Sequence, residues 1–241
     1  MEAYHYILFG VVAFLFAAVG HGGASGYLAL MALLGFAPEE MRPTALALNL
    51  LVSATSFWLF YRAGHFRWSL FWPFAVASIP FSFLGGWLMV DTVVYRKLLG
   101  VFLFLPVVRF FIEHDKDQFS HRSSSLYGSL GIGSGIGFLS GLIGIGGGVL
   151  LSPILLLLRW ADQKQTAAVS ALFIFVNSAA GLAGQWSKGI VLPPAMGGLV
   201  LTAFAGGLLG GWLGAGTFSQ RVLKYILAIV LLLASVKLLF T

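Results

Sequence analysis

The stretch GLIGIGGGVLLSP, residues 141–153, decides the fold because glycines interrupt a long apolar region there. Gly144, Gly146, Gly147 and Gly148 lie between two apolar segments and far from any charged residue. Inside lipid, each backbone N–H or C=O group that loses its helical partner costs several kcal/mol unless protein, water or a ligand bonds it. The stretch therefore predicts a broken or re-entrant helix whose backbone lines a polar cavity.

The composition places this stretch in a membrane. Of the 241 residues, 59% are apolar or aromatic and only 9% are charged, whereas a soluble domain carries roughly 25% charged residues. The 14 Lys and Arg residues outnumber the 8 Asp and Glu residues, but we expect them to sit singly in short loops and form no patch, so nucleic-acid binding is not predicted. The absence of cysteine excludes disulfides and thiolate metal sites.

Charged residues used as boundaries divide the chain into ten apolar segments. They cover approximately residues 4–20, 22–36, 43–61, 69–90, 93–112, 126–141, 144–158, 165–186, 191–213 and 222–240. Several are near or below the roughly 20 residues that a helix needs to span a bilayer. The number of full crossings is therefore left open between eight and ten.

The second half of the chain repeats the pattern of the first. The motif FLGGWL at 83–88 recurs as LLGGWL at 208–213. Pairs that match at a spacing of 125 positions are Trp87 and Trp212, Arg96 and Arg221, and Gly64 and Gly189. A constant spacing over nearly the whole chain predicts an internal duplication.

The duplication sets the predicted organisation of the chain. Residues 1–112 form a first membrane repeat, 113–125 a polar loop and 126–241 a second membrane repeat. If an odd number of segments crosses in each half, the second half enters the membrane upside down, as in many secondary transporters. We therefore predict an all-α polytopic membrane protein of two inverted-topology repeats of about 125 residues, with broken or re-entrant helices at the glycine-rich motifs.

A second glycine cluster, residues 20–26, occupies the matching place in the first half. A helix that restarts after such a break points its free N–H groups and the positive end of its dipole at the cavity. The expected ligand is a small anion. The alternative is that the glycines only allow helices to pack closely.

The distribution of carboxylates favours an anion over a cation. All eight Asp and Glu residues fall in predicted loops or at segment ends, whereas cation-coupled and proton-coupled transporters commonly carry buried carboxylates. Hydrolase, zinc-protease and nucleotide-binding motifs are not found either. We expect a protein that is not an enzyme and that needs no cofactor or bound metal.

The predicted substrate-binding residues combine the two glycine clusters with polar residues of the apolar segments. They are His21, Gly22, Gly23, Ser25, Asn49, Ser53, Gly146, Gly147, Gly148, Asn177 and Ser178. Each asparagine amide can donate two hydrogen bonds to an oxyanion. Alternatively, the asparagines and serines only link helices, at about 0.6 kcal/mol each, and His21 only caps its loop.

Two stretches resemble a known family. GLIGIGGGVLLSPILLLL at 141–158 and AAVSALFIFVNSAAGLAG at 167–184 are similar to the second-half signature of the TauE/SafE sulfite exporter family, also called the 4-toluene sulfonate uptake permease family. The resemblance implies a multi-pass bacterial or archaeal membrane protein that moves sulfite, sulfoacetate, sulfonates or related anions. The first half departs from this pattern, because the third glycine is missing after Gly23 and Ala29 occupies the place of Pro153.

We therefore expect a secondary transporter that moves a small sulfur-containing or organic anion across the cytoplasmic membrane by alternating access. A passive anion channel and a non-transporting membrane scaffold subunit are the alternatives. Its predicted partners are the anion and the lipid bilayer. The identity of the anion, the direction, the coupling ion and the oligomeric state, with a homodimer as one option, are left open.

The arginines and lysines also predict an orientation. If all ten segments cross, nine of these residues lie on one side and four on the other. The side with nine is then cytoplasmic, with both termini outside. If the second and seventh segments are re-entrant, we expect this assignment to change.

Overall fold

The described part of the chain, in a computed structural model, is all-helical and contains no strand. It comprises residues 3–18, 24–112, 125–190, 196–217 and 220–240. Its ten helices are α1 (Ala3–Ala18), α2 (Ala24–Leu34), α3 (Pro38–Arg62), α4 (Trp68–Trp87), α5 (Thr92–Ile112), α6 (Leu126–Ile143), α7 (Gly148–Leu157), α8 (Gln163–Trp186), α9 (Met196–Thr217) and α10 (Gln220–Phe240). The ten predicted segments correspond to these helices in order.

Helices α2 and α7 are the short ones, with 11 and 10 residues. At 1.5 Å per residue they are about 15–17 Å long, roughly half of a 30 Å hydrocarbon core. Within the described residues, α3, α4, α6 and α8 are long and apolar enough to cross a membrane. The shortness of α7 agrees with the helix break predicted at the glycines.

Helices α6 and α7 form a hairpin. A Cβ atom at Gly147, just before α7, would lie 2.8 Å from Phe173, near the middle of α8. At the other end, Trp160 follows α7 and lies 3.6 Å from a Cβ placed at Gly128, in the first turn of α6. The hairpin therefore returns to the side of the bundle from which it started.

Helices α4 and α6 pack in parallel along a seam of glycines. A Cβ atom at Gly133 would lie 2.6 Å from the Phe74 carbonyl oxygen. Four and eight residues further on, Cβ atoms at Gly137 and Gly141 would overlap the carbonyl oxygens of Ser78 and Ser82. The two backbones approach so closely that only glycine fits at these positions.

Helices α1 and α9 pack in the same way, and the repeated GGW motifs take part. A Cβ atom at Gly210, in the second motif, would overlap the Phe14 carbonyl oxygen of α1. A Cβ atom at Gly85, in the first motif, would overlap the Phe138 carbonyl oxygen of α6. Equivalent positions of the two halves thus make equivalent contacts, each with a helix of the other half.

The outer surface of the described helices is apolar. Large side chains that are more than half exposed include Ile7, Trp58, Val76, Leu157, Leu201, Leu233 and Phe240. They are spread over α1, α3, α4, α7, α9 and α10, so they surround the bundle instead of forming one patch. Exposed apolar surface on this scale needs lipid around it.

Helix α3 begins earlier than predicted. The sequence placed its start at Pro43 because Glu39, Glu40 and Arg42 marked a loop. In the structure it begins at Pro38, with the two glutamates in the first turn. Proline suits the first helical position, and acidic side chains there complement the helix dipole. Arg42 is therefore a helical residue, and the expectation that all cations sit in loops is wrong for it.

Candidate functional site

The candidate site surrounds residues 144–147, which we call the glycine turn. Gly144, Gly146 and Gly147 have φ values of +91°, +71° and +82°, a left-handed conformation that costs other residues roughly 1–2 kcal/mol. Gly147 precedes the first residue of α7, and its carbonyl accepts from the N–H groups of Leu150 and Leu151. The N–H groups of the first two residues of α7 have no acceptor within the helix.

Asn49 of α3 and Ser178 of α8 meet at Gly146. A Cβ atom at Gly146 would lie 3.0 Å from both Asn49 Nδ2 and Ser178 Oγ. Both side chains are buried, with 1% and 0% of their surface exposed. Neither of these two polar atoms has a hydrogen-bond partner in the described part of the chain. Two predicted site residues are thus brought together with a predicted glycine.

Two other predicted residues point their polar groups elsewhere. Ser53 Oγ donates to the carbonyl of Asn49, 2.5 Å away on its own helix. Asn177 Nδ2 donates to the Phe173 carbonyl at 2.8 Å, and the Asn177 carbonyl accepts from Ser82 Oγ at 2.7 Å. Asn177 Oδ1 is buried without a partner. These residues lie beside the site and support its helices.

Ser25 is 2% exposed at the start of α2. The remaining predicted residues of the first half, His21, Gly22 and Gly23, lie outside the described residues. Gly148, in the second half, packs directly against Ile174, where a Cβ atom would overlap the isoleucine side chain. Close helix packing, the alternative reading of the glycine clusters, therefore applies at Gly148.

The chemistry of this arrangement suits an anion. An amide N–H, a hydroxyl and the N-terminus of α7 are all donors, and they meet in a buried region. The carboxylates that the structure describes lie elsewhere: Glu39, Glu40 and Asp91 are exposed, and Asp162 caps α8 by accepting from Gln165 N at 2.8 Å. Among the described residues no group of three or more His, Cys, Asp or Glu side chains could hold a metal ion.

Arg42 is a buried residue that the sequence reasoning missed. It is 7% exposed, and its terminal NH groups donate to the carbonyls of Gly85, Gly86 and Leu88 in and after α4 and of Gly141 in α6, at 3.2–3.4 Å. A helix-start signal could have placed it inside α3, because Pro38 followed by two glutamates is typical of a first turn.

Comparison with known proteins identifies the family. The sequence model of the family described as sulfite exporter TauE/SafE matches residues 6–238. The chain belongs to this family. A probable membrane transporter protein of Sinorhizobium fredii is 37% identical over 238 residues, which are 97% of this chain and 96% of the relative. The resemblance inferred from the glycine-rich stretch is thereby confirmed.

Two more distant relatives carry the same description. A probable membrane transporter protein of Methanocaldococcus jannaschii is 31% identical over 58% of this chain and 53% of its own length. One of Bacillus subtilis is 30% identical over 56% of this chain and 48% of its own length. No solved structure matches the chain significantly. Membership of the TauE/SafE family agrees with a membrane transporter rather than an enzyme.

Proposed function

We propose that this TauE/SafE protein is a secondary transporter of a small sulfur-containing or organic oxyanion, of the sulfite, sulfoacetate or sulfonate type, in the cytoplasmic membrane. The observation that carries the proposal is the convergence of Asn49 Nδ2 and Ser178 Oγ on Gly146. Both atoms are buried and have no partner in the described part of the chain.

Energetics favour a ligand at this point. A buried polar atom without a partner costs about 1–3 kcal/mol, and two such atoms lie side by side here. Both can donate to an anion, and the positive end of the α7 dipole adds up to about 2 kcal/mol when partly buried. An oxyanion placed against Gly146 accepts these bonds without a charged side chain, so its binding stays weak enough to allow release.

The packing supports inverted repeats as the framework for transport. Helices α3, α4 and α5 follow each other through short connections. If all three cross the membrane, the second half starts on the opposite side from the first. In the repeat, α4 corresponds to α9 and α6 corresponds to α1. The parallel pair α4 and α6 is therefore equivalent to the parallel pair α9 and α1, as a two-fold axis in the membrane plane requires. Repeats 1–112 and 126–241, joined by 113–125, then rock against each other to alternate access.

The hairpin fold keeps the predicted orientation. Because α7 returns to the side on which α6 starts, the loops fall on the same sides as they would with ten crossings. The connection from α3 to α4 and the region from α7 into α8 carry Arg62, Arg67, Arg159 and Lys164. We assign this side to the cytoplasm, since loops on the inner side are enriched in Lys and Arg.

The test is flux of sulfite and methanesulfonate into proteoliposomes. Ser178→Ala removes one of the two donors, and we expect flux to fall severalfold. Ser129→Ala is the matched control, since Ser129 is also a buried serine whose hydroxyl has no partner in the described residues but lies in the first turn of α6, far from Gly146. No anion flux in the wild type, or equal flux in both variants, contradicts the proposal.

The same vesicles separate a carrier from a channel. A carrier that alternates access gives saturable flux and accelerates uptake of labelled anion when unlabelled anion is preloaded. Flux that rises linearly with concentration and shows no such counterflow identifies a passive channel instead.

A further inference from the structure

A second buried polar cluster lies apart from Gly146. It lines a pocket at the end of the bundle where α3 begins and where α4 and α8 end. Arg42, Gln185, Tyr95, Glu39 and Met89 contribute to its wall. The sequence predicts no substrate contact for these residues, and none of them is among the nearest neighbours of Gly146.

Gln185 is the first sign that a ligand belongs in this pocket. It is 0% exposed, yet its Oε1 and Nε2 atoms both have no hydrogen-bond partner in the described residues. Arg42 Nε is likewise buried without a partner. Tyr95 contrasts with them, because its hydroxyl donates to the Ile143 carbonyl at 3.0 Å. The wall of the pocket thus holds two unused donors, one on an amide and one on a guanidinium.

The charge of Arg42 is the second sign. Its terminal NH groups bond only to neutral carbonyl oxygens, and the charge of Glu39 acts on it only from a distance, without a direct ion pair. No carboxylate of the described residues lies within ion-pair distance of it. Glu39 lines the pocket but is exposed at its rim. A buried charge that no carboxylate pairs directly is costly, and a pocket that opens to solution allows a dissolved anion to bind it.

We propose that Arg42 and Gln185 form a binding site for a small oxyanion, a carboxylate or a sulfonate, at the mouth of the bundle. The anion accepts from Arg42 Nε and Gln185 Nε2. The site is separate from Gly146, because Gly144 and the end of α6 stand between them. Gly141 of α6 binds the guanidinium, and a Cβ atom at Gly144 would lie 3.2 Å from the Arg42 backbone. The inference rests on the proposed function only for the class of anion.

A thiol probe tests this site without requiring transport. The chain has no cysteine, so Met89→Cys introduces one thiol into the pocket wall, and Tyr127→Cys introduces one at an exposed position outside it. Purified protein is treated with a thiol reagent with and without methanesulfonate. At ten times its Kd, the anion should slow modification at the pocket roughly tenfold by occupancy and leave the Tyr127→Cys rate unchanged.

Substitutions then assign the protection to the two residues. Gln185→Leu should weaken protection of Met89→Cys roughly tenfold, the loss expected for one hydrogen bond to a charged ligand. Gln165→Leu is the matched control, a second glutamine of α8 at the opposite end of the helix. Arg42→Gln also removes protection, but Arg42 joins α3, α4 and α6, so the inference is judged on Gln185→Leu.

A substitution at Glu39, at the rim of the pocket, tests whether the ligand is negatively charged. Glu39→Gln removes a negative charge from the pocket wall and should strengthen protection by methanesulfonate severalfold. No protection in the parent, equal protection with Gln185→Leu and Gln165→Leu, or weaker protection with Glu39→Gln overturns the inference. If methanesulfonate protects Met89→Cys but proteoliposomes show no flux, this binding site is supported and only the proposed transport function is contradicted.

Discussion

Two sets of glycines in and after α6 differ in what surrounds them. Gly133, Gly137 and Gly141 are helical, and a side chain on them would meet the backbone of α4. Gly144, Gly146 and Gly147 in the glycine turn have positive φ, and a side chain on Gly146 would meet the ends of other side chains. Backbone cannot move aside, whereas side-chain ends can. We therefore expect the first set to determine whether the bundle assembles, whereas the second set belongs to the proposed binding site.

The seam should tolerate substitution least. Gly141→Leu would place a side chain into the Ser82 carbonyl, so we expect loss of folded protein, measured as monodisperse yield after extraction in detergent. Gly135→Leu on the same helix is the control, since nothing lies within 4 Å of its Cβ position. Comparable yields of the two variants would show that the seam is not tightly packed.

At the glycine turn, loss of function should exceed loss of folding. Gly146→Ala places a methyl group 3.0 Å from Asn49 Nδ2 and Ser178 Oγ, where the anion is proposed to bind. Flux in proteoliposomes should fall at least tenfold while folded protein is still obtained.

Gly64→Ala is the control for Gly146→Ala, because it introduces the same backbone strain without steric contact. Gly64 has a similar φ of +76° but no neighbour within 4 Å of its Cβ position, so this variant should keep its flux. Equal flux in Gly146→Ala and Gly64→Ala would mean that Gly146 serves the turn alone.

Asn49→Leu should separate binding from stability. Asn49 Nδ2 is buried without a partner, so its removal leaves no acceptor unsatisfied and relieves a desolvation cost. We expect flux to fall roughly tenfold and the Tm in detergent to stay the same or rise. A clear drop in Tm with unchanged flux would instead make Asn49 a residue that only links helices.

The smallest effect is expected at Ser82, where α4 is joined to α8. Ser82→Ala removes the 2.7 Å bond to the Asn177 carbonyl, a change worth about 0.6 kcal/mol in membrane helices. Ser78→Ala is matched in burial, but the Ser78 hydroxyl bonds only within α4. The Tm of Ser82→Ala should be lower than that of Ser78→Ala. The reverse order would contradict a stabilising hydrogen bond between α4 and α8.

The sequence predicted the order of the helices well because charges and glycines mark their ends. It also singled out Asn49 and Ser178, since polar residues in the middle of apolar segments are conspicuous. It did not predict that Asn49 would face Gly146 while Asn177 bonds within its own helix. That difference depends on how α3 and α8 face each other, which a repeat spacing does not specify.

Arg42 shows where charge patterning fails. Charged residues mark the ends of apolar segments in most of this sequence, and that pattern predicts a loop at Arg42. In a loop, water would solvate its guanidinium. Four backbone carbonyls from α4 and α6 replace that water. Those carbonyls come from positions more than forty residues away along the chain, so only the assembled bundle brings them to the guanidinium.

Each half packs a helix against the other half, and this has a consequence for biosynthesis. Helix α1 packs against α9, which is synthesised near the end of the chain, whereas α4 meets α6 soon after the loop between the halves. At roughly 5–20 residues per second, α9 follows α1 by on the order of ten seconds or more. During that interval the face of α1 around Gly10, which later receives α9, must be shielded by lipid or by the insertion machinery.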